Sequence, residues 1–528
     1  MQKQWTVKQY RAPVGASAPT PAKGRSTPCD FTVGAFGCHD GAPTVGSTAH
    51  RPRDLRIVLL ALGACLVAGC GREFMPTPNL FAEGSDDPFA NVPPAHRSET
   101  VRLLYATDRQ EEPARYTDPQ SDCRAVGRVE SSGMQYSARR STHIAVGTCT
   151  LRFGPDLTWE QLCEETRRRF RRRALDVRVE RLEQVARTPA LPRELYGKDL
   201  VKHHGGREVY DNGEKEAIRS LRELVQQRLA PCRKKEAYVY VHGFNSTLKG
   251  AAMVLAQLWH FLGRDGVPII FSWPAGYAGV LGYFADTESG EASVPHLKWL
   301  LRQLSDCPGL SKVHVIAHSR GAHIVATALR ELHIDYRAQG KTTGRVLKLG
   351  HVVLIAADID AFVVQQRVLG EGLHHVPHRS TVYICPLDRA LGLSELLHIF
   401  LRLGGITLEA LNEAEIHRFR NLPKVDVVIA LVRRQSFFWH EYFTDSPAVS
   451  SDLILLLRDN VAPGQGGRSG LVRYRRQPRP WEKAEAEENE MPPVWLLKEG
   501  YPFRCEKARP EGEPPPGTAP ATGPPQSR

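Results

Sequence analysis

Six apolar runs of strand type lie along the middle of the chain, and stretches with helical periodicity separate most of them. The runs are AYVYVHG from Ala237, VPIIFSW from Val267, VHVIAHS from Val313, HVVLIAAD from His351, TVYICPLD from Thr381 and VDVVIALV from Val425. Intervening stretches such as AAMVLAQLWHFLG and SVPHLKWLLRQL repeat apolar residues at the spacing of a helix. Strands that alternate with helices build a parallel sheet covered on both faces, so the pattern predicts a doubly wound, mostly parallel α/β fold.

The segment VHVIAHSRGAHIVATALREL changes its periodicity at AHSRG, from strand type up to Ala317 to helical type from Gly321 onward. In a nucleophile elbow a serine occupies a tight, strained turn between strand and helix, and only small side chains fit two positions before and after it. Ala317 and Gly321 meet this demand around Ser319, with alanine in place of the first glycine of G-x-S-x-G. The segment therefore predicts Ser319 as a catalytic nucleophile.

Acyl transfer also needs hydrogen-bond donors aimed at the oxygen on which negative charge develops. In hydrolases with a nucleophile elbow, one donor is the main-chain N–H after the nucleophile and another comes from a loop after an earlier strand. Here Arg320 would supply the first donor. The stretch VYVHGFNST would supply the second, and we expect it to be the N–H of Phe244 because Gly243 lets the loop turn sharply.

A catalytic acid and then a histidine should follow the nucleophile in chain order. If the strand before Ser319 is the fifth of eight, TVYICPLD is the seventh, after which this kind of fold usually places its acid. Asp388 lies at that place, just beyond the end of the strand. Asp358 and Asp360, one strand earlier in AADID, are the alternatives.

His440 lies in the loop after VDVVIALV and is the predicted base. His398 and His417 lie in stretches that resemble helix interiors, where a histidine is more often structural. His318 is adjacent to the nucleophile, so its side chain leaves the turn in another direction, and His323 lies on the following helix. We therefore expect neither of these two to act as the base.

The segments YATDR, VHGFN, FSWPA, AHSRG, IAADID, DRAL and WHEYF together resemble a bacterial family of uncharacterised α/β hydrolases within the esterase and lipase superfamily. The resemblance extends over roughly residues 100 to 460. It implies an α/β-hydrolase fold and a triad of Ser319, Asp388 and His440. It implies no agreed substrate.

The 11 cysteines show no CxxC or Cys/His spacing of the metal-site kind, so zinc is not expected. Hydrolysis by a Ser/His/Asp triad needs neither a metal nor an organic cofactor. The formal net charge of +12 could suggest nucleic acid as a partner. Many arginines, however, fall in RRRFRRR within a helical pattern that also carries glutamates, which favours a solvated helix face. We expect no nucleic-acid partner, and contact with acidic lipid head groups is the second alternative.

A basic stretch, RPRDLR, precedes the apolar run IVLLALGACLVA, which is too short to span a bilayer and suits the core of a signal peptide. The residues Val67-Ala68-Gly69-Cys70 resemble the lipobox of bacterial lipoproteins, in which the cysteine is lipidated and becomes the new N-terminus. This predicts a lipoprotein of the bacterial envelope, anchored in the membrane at Cys70 and most consistent with the periplasmic face of the outer membrane. A start at Val45 would give the signal a basic segment of ordinary length.

The predicted organisation is a signal region at 1–69, a flexible tether at 70–100, a hydrolase domain at 101–460 and a largely disordered tail at 461–528. Within the tail, VWLLKEGYPF from Val494 is a candidate to dock on the body. The segment from Gly276 to Pro295 is a candidate apolar wall over the site, or an ordinary surface connection.

These features predict a serine hydrolase that acts on a small-molecule ester or thioester through an acyl-enzyme. Two alternatives remain open at this point. One is an amidase or peptidase with the same triad, because ester and amide cleavage use the same constellation. The other is a binding or scaffolding lipoprotein that keeps the fold without catalysis.

Overall fold

The computed structural model describes residues 73–81, 87–112, 135–154, 156–190, 206–277, 279–398, 401–406, 422–433, 440–474 and 494–502. Within them an 11-stranded sheet has the order β10-β11-β9-β8-β7-β6-β4-β5-β1-β2-β3. The strands are β1 Thr100–Glu112, β2 Gln135–Phe153, β3 Val177–Arg187, β4 Glu236–Val241, β5 Val267–Ser272, β6 Lys312–His318, β7 Leu349–Ile355, β8 Arg379–Ile384, β9 Val425–Leu431, β10 Val472–Arg473 and β11 Val494–Lys498. The longer helices are α1 Trp159–Arg167, α2 Gly206–Leu229, α3 Leu248–Phe261, α4 Gly279–Ser305, α5 Gly321–Ala338, α6 Arg389–His398 and α7 Pro447–Asp459.

The central strands are parallel, and only the edges of the sheet are antiparallel. Neighbours are parallel from β1 through β5, β4, β6, β7, β8 and β9 to β11. Strands β2 and β3 extend one edge in antiparallel fashion, and β10 closes the other edge. The predicted doubly wound, mostly parallel α/β fold is confirmed. All carboxyl ends of the parallel strands therefore meet at one edge of the sheet, where ligands bind in folds of this kind.

Both faces of the sheet are covered, which explains why the strands are continuous apolar runs. Successive side chains of a strand point to opposite faces. Ile316 and Val353 belong to the core that α3 and α7 cover, whereas Val315 and Val352 belong to the core that α4 and α5 cover. Each strand must therefore be apolar at nearly every position.

The folded body begins before the predicted boundary at residue 101, and the prediction of a flexible tether at 70–100 is wrong for the described part of that segment. Phe74, Phe81 and Phe89 are buried in the core on the α3 side of the sheet. The guanidinium of Arg171 donates hydrogen bonds to the carbonyl oxygens of Phe74 (2.8 Å) and Met75 (2.5 Å). The prediction was based on the polar and proline-rich composition of the segment and did not consider these few aromatic residues.

The arginine-rich stretch is not the helix face that its pattern predicted. Helix α1 begins with a capping box at Thr158 and ends at Arg167, so most of the run lies beyond the helix. Arg171 is half-buried and its guanidinium lies 4.9 Å from the centre of the Phe74 ring. The stretch therefore binds the N-terminal segment through its carbonyl groups and an aromatic face.

The body also extends past the predicted boundary at residue 460. Strand β11 pairs in parallel with β9, and Arg468 forms a fully buried ion pair with Asp452 of α7. The docking of VWLLKEGYPF is thus observed for Val494–Lys498, and the prediction of disorder is wrong for the described parts of 461–528. The remaining parts of that tail, the signal region and Cys70 lie outside the described residues. In the ranges given above, no helix combines the length and apolar character needed to cross a bilayer.

Candidate active site

Ser319 lies at the point where β6 turns into α5, and its backbone is in the left-handed region with φ of +52°. Such a conformation is strained for a residue with a side chain and persists only where the surroundings enforce it. The N–H of Ser319 donates to the carbonyl oxygen of Ile355 at 2.9 Å, and its own carbonyl accepts from the N–H of Asp358 at 3.2 Å. The main chain after β7 therefore holds the serine in this turn.

The small residues around Ser319 are required by close packing. A Cβ atom on Gly321 would lie 2.5 Å from the carbonyl oxygens of Val241 and His242, far inside van der Waals contact. Ala317 is fully buried. These contacts give the physical reason for the AHSRG pattern and match the geometry of a nucleophile elbow.

His440 and Asp388 are in direct contact at the same edge of the sheet. The Nδ1 atom of His440 lies 2.7 Å from Oδ2 of Asp388, whose other oxygen accepts from the N–H groups of Ala390 (3.0 Å) and Leu391 (3.1 Å). The Asp388 side chain has no solvent exposure. A carboxylate in this position requires the proton of a neutral imidazole on Nδ1, which leaves Nε2 as the basic atom.

The contact with Asp388 changes the proton affinity of His440. Burial by itself lowers the pKa of His440, but the charge and the hydrogen bond of Asp388 outweigh burial and raise the pKa above its ordinary value. Smaller contributions in the same direction come from Glu441 and Asp358. The imidazolium form that a general base must pass through is therefore stabilised.

His318, the residue before Ser319, contacts His440. The Nε2 atom of His318 lies 3.1 Å from the carbonyl oxygen of His440, and the two rings are 4.8 Å apart. Because Nε2 of His318 faces a carbonyl oxygen, it must carry a proton and is unsuited to act as the base. In the described part of the chain, no hydrogen bond joins the hydroxyl of Ser319 to His440; catalytic contacts of this kind often tighten only when substrate binds.

The loop after β4 packs directly against the serine. A Cβ atom on Gly243 would lie 2.7 Å from Cβ of Ser319, so only glycine fits there. The loop that continues to Phe244 therefore passes directly beside Ser319, and Arg320 is the first residue after Ser319 in the turn. Phe244 and Arg320 are the two residues whose main-chain N–H groups the sequence predicted as oxyanion donors.

Two charged residues that received no role in the prediction hold this loop. Arg109 is buried and donates from Nη2 to the carbonyl oxygen of Ser246 (2.6 Å) and from Nε to the hydroxyl of Ser272 (2.8 Å). The Nε2 atom of His242 also lies within 3.1 Å of that hydroxyl. The segments YATDR, VHGFN and FSWPA, which carry the resemblance, thus meet in one hydrogen-bonded network.

The second of these residues is Asp286, on α4. Its Oδ2 atom accepts from the N–H of Asn245 (3.0 Å) and that of Gly276 (3.1 Å). Asn245 has φ of +56°, so the loop is strained next to the predicted oxyanion donor. Burial raises the pKa of Asp286 to about 6, although its hydrogen bonds and Arg109 act in the opposite direction.

The alternative acids make other contacts. Asp358 accepts from the hydroxyls of Tyr283 (2.5 Å) and Ser394 (2.7 Å). Burial raises the pKa of Asp358, but Arg320, the Tyr283 hydroxyl and Arg402 outweigh it and lower the pKa overall. Asp360 accepts from the N–H of Val363 at 2.8 Å and caps a short helix.

The other histidines are also accounted for. His323 contacts Glu291 of α4. His417 and the side chain of His398 fall outside the described residues. Over the ranges that the structure describes, no three His, Cys, Asp or Glu side chains come together as a metal site.

Comparison with known proteins agrees with this geometry. Residues 217–458 match the sequence profile of the family described as "Alpha/beta hydrolase of unknown function (DUF900)". This segment has an α/β-hydrolase fold and is similar in sequence to that family. The match includes strands β4 to β9, and the family resemblance found in the sequence is confirmed over residues 217–458.

Other similarities are weak. No curated protein is significantly similar to the chain. An esterase from Pyrobaculum calidifontis is 13% identical over 43% of this chain and 78% of its own, with a TM-score of 0.26. A lipase-esterase related protein from Clostridium acetobutylicum ATCC 824 is 12% identical over 40% of this chain and 80% of its own, with a TM-score of 0.19. Neither similarity is close enough to bear on the activity of this chain.

Proposed function

We propose that the protein is a serine hydrolase that cleaves a small-molecule ester or thioester through an acyl-enzyme. The observation that carries the proposal is the strained backbone of Ser319, with φ of +52°, on the same sheet edge as the His440–Asp388 contact of 2.7 Å. Strain of this kind is concentrated at functional sites. The alternating α/β fold with a serine at the turn after β6 also agrees with the hydrolase family that residues 217–458 match.

The chemistry follows from the three side chains. The Oγ atom of Ser319 bonds to the carbonyl carbon while its proton passes to Nε2 of His440, and the carbonyl oxygen becomes an oxyanion. The bond to the leaving group then breaks, and His440 returns the proton to the leaving oxygen or sulfur. Water repeats the sequence on the acyl-enzyme, which releases the carboxylic acid and free Ser319. Asp388 stabilises the imidazolium throughout, and the N–H groups of Phe244 and Arg320 donate to the oxyanion.

Ester hydrolysis by the purified protein tests this proposal. The wild type should hydrolyse p-nitrophenyl acetate, and Ser319→Ala should lose about six orders of magnitude in kcat, as expected when a triad nucleophile is removed. Ser311→Ala is the matched control and should keep full activity, because Ser311 directly precedes β6 and lies at the opposite end of that strand from Ser319. Equal activity in both variants would rule out Ser319 as the nucleophile.

The same assay separates the alternatives. An amidase would cleave p-nitroanilides of the same acyl groups at rates comparable to the esters, whereas an esterase would leave them largely intact. A protein that only binds or scaffolds would hydrolyse neither substrate class.

We also propose that Cys70 carries a lipid that anchors the protein in the bacterial envelope. The support is in the sequence, where the basic RPRDLR, a short apolar run and Val67-Ala68-Gly69-Cys70 follow one another. One lipidated cysteine with two or more chains is sufficient for stable membrane binding.

Metabolic labelling with a fatty-acid analogue tests the anchor. Label should be present in the wild type and in Cys65→Ser, which lies in the same apolar run, and absent from Cys70→Ser. Labelled, membrane-bound Cys70→Ser protein would exclude the lipobox assignment.

A further inference from the structure

Helix α4 begins beside the loop that carries Phe244, and its first two turns expose apolar side chains. Leu281 is 84% exposed and Phe284 is 44% exposed. They are three positions apart and thus share one face of the helix. Exposed large apolar residues in one place mark a binding surface more often than scattered ones do.

A continuous series of rings connects this surface to the predicted oxyanion donor. The rings of Phe244 and Tyr283 are 5.3 Å apart, and those of Tyr283 and Phe284 are 6.0 Å apart. The Tyr283 hydroxyl donates to Asp358 at 2.5 Å, so the ring is fixed beside Phe244. Packed rings, with the buried ring of Tyr283 between them, therefore connect Phe244 to the exposed face of α4.

The two faces of the sheet distinguish the acyl side of the site from the leaving-group side. His440 must face the leaving group in order to protonate it, and the residues that follow it, Tyr442 and Phe443, belong to the core on the α3 side. Val294 and Leu297 of α4 belong to the core on the opposite face. A substrate whose leaving group points to His440 thus directs its acyl chain toward α4.

We propose that Phe244, Tyr283, Phe284 and Leu281 form the binding site for an aliphatic acyl chain. This inference rests on the proposed serine hydrolase and assigns its substrate class, esters or thioesters of medium or long straight-chain acids. Each methylene that the site removes from water should raise kcat/KM roughly twofold to fourfold. The benefit should end when the chain extends beyond Leu281.

A chain-length series tests the site. For the wild type, kcat/KM should rise from p-nitrophenyl acetate through butyrate to octanoate. In the double variant Leu281→Ser/Phe284→Ser, the ratio of kcat/KM on octanoate to kcat/KM on acetate should fall roughly tenfold or more relative to the wild type. Ile334→Ser is the matched control, because Ile334 is a large apolar residue on α5 with a similar exposure of 43%. It should keep the full chain-length dependence.

An apolar cavity elsewhere in the fold is the competing location for the chain. It has an empty volume of about 920 Å³, part of it open to solvent, and is lined by α5, β7 and β8 residues including Val325, Ala326, Leu354 and Ile384. Ala326→Phe should fill part of this cavity without changing the chain-length series. Loss of the octanoate preference in Ala326→Phe protein of normal thermal stability, with the α4 variant unaffected, would overturn the assignment to α4.

Failure of the inference differs from failure of the proposed function. A wild type that hydrolyses acetate and octanoate equally well refutes the acyl site and leaves the hydrolase proposal in place. A wild type that hydrolyses no ester and reacts with no fluorophosphonate refutes both.

Discussion

Two of the buried carboxylates in the described part of the chain, those of Asp388 and Asp452, are each paired with a basic side chain but differ in what that side chain can do. Asp452 on α7 accepts from Nε (2.7 Å) and Nη2 (2.8 Å) of Arg468 and from the hydroxyls of Tyr383 and Tyr501, both at 2.7 Å. Asp388 accepts two main-chain N–H groups and a single contact from His440. Both carboxylates are satisfied, so burial and pairing alone do not distinguish an active site from a structural ion pair.

The two carboxylates differ in the basic side chain with which each is paired. Arg468 and Asp452 have no solvent exposure, and the carboxylate and both tyrosine hydroxyls raise the pKa of Arg468 although burial lowers it, so the guanidinium keeps its protons. The His440 side chain is 20% exposed and belongs to a group that exchanges its proton near neutral pH. The Arg468–Asp452 pair can thus only hold the C-terminal segment on α7, whereas in the proposed mechanism His440 exchanges a proton with Ser319.

Among the substitutions that compare the two carboxylates, the largest expected effect concerns Asp388, the proposed catalytic acid. Asp388→Asn keeps the size of the side chain but loses the charge that fixes the tautomer of His440, so kcat should fall by about 10⁴. Asp358→Asn and Asp360→Asn should reduce kcat far less in protein that still folds. Steady-state kinetics on all three variants decides between them. If Asp388→Asn stays active and Asp358→Asn or Asp360→Asn is dead, the acid comes from the segment after β7.

Substitution in the Arg468–Asp452 ion pair should change stability rather than activity. Asp452→Asn leaves the buried Arg468 without its counter-charge, which should lower the free energy of unfolding by about 3 to 5 kcal/mol. The kcat of the folded fraction should not change, since none of the contacts of Asp452 reach Ser319. Asp459→Asn, an exposed ion-pair partner at the end of the same helix, is the control and should change stability by less than about 1 kcal/mol. A large loss of kcat in Asp452→Asn protein of normal stability would show that Asp452 contributes to catalysis and is not only structural.

The loop that carries Phe244 should show an intermediate effect. Asp286→Ala removes the acceptor of the Asn245 and Gly276 N–H groups, so the oxyanion donor loses its fixed position. We expect kcat to fall by about 10² to 10³ with little change in KM, and Asp286→Asn to restore much of the loss because an amide oxygen still accepts. An equal loss in both variants would show that the charge, rather than the positioning of the loop, is required.

Asp286 also makes stability depend on pH in a defined direction. The folded protein raises its pKa from 3.8 to about 6, mainly through burial, so the folded state favours the protonated carboxyl. The stability that this preference provides is present below pH 4 and is lost as the pH rises through 6. Urea unfolding should show that Asp286→Asn gains stability relative to the wild type between pH 4 and pH 7, by up to about 3 kcal/mol. A constant difference would mean that Asp286 is not buried as described.

The smallest expected effect is a displacement of the pH profile. In the proposed mechanism His440 must be neutral, and its pKa is raised, so kcat/KM should increase with pH to a midpoint above 6.5. The contribution of the His440–Asp388 pair to folding stability has the opposite dependence on pH. It is complete below pH 6.5 and is lost as the pH rises through the raised pKa of His440. A kinetic midpoint below 6.5 would show that burial, rather than Asp388, controls His440.

The sequence predicted those parts of the fold and the site that depend on local patterns. Strands β4 to β9 follow from apolar runs, and the elbow follows from small residues at fixed offsets from Ser319. Arg109 and Asp286 carried no such signal. Arg109 contacts Ser272, which is 163 positions away, and a lone charged residue in a sequence does not reveal a partner at that distance.

The sequence did not predict where the folded body begins and ends, for a related reason. Phe74 and Phe81 are isolated aromatic residues in a polar, proline-rich stretch, and they pack against Phe153 of β2 and Phe261 of α3. Strand β11 is flanked by charge-rich sequence, and its pairing with β9 closes a loop of more than 60 residues between Leu431 and Val494. The average composition of these segments predicted flexibility and disorder, whereas a few apolar residues in them pack on the folded body.

Mass spectrometry of the protein after reaction with a fluorophosphonate tests most directly whether Ser319 is the nucleophile of a working triad. The reagent bonds to a serine oxygen only where a base removes the proton and an oxyanion site receives the charge. We predict one phosphonyl adduct, on the peptide that contains Ser319, formed rapidly in the wild type and in Asp452→Asn, slowly in Asp388→Asn and not at all in Ser319→Ala. An unmodified wild type, or an adduct on another serine that survives in Ser319→Ala, would contradict the assignment.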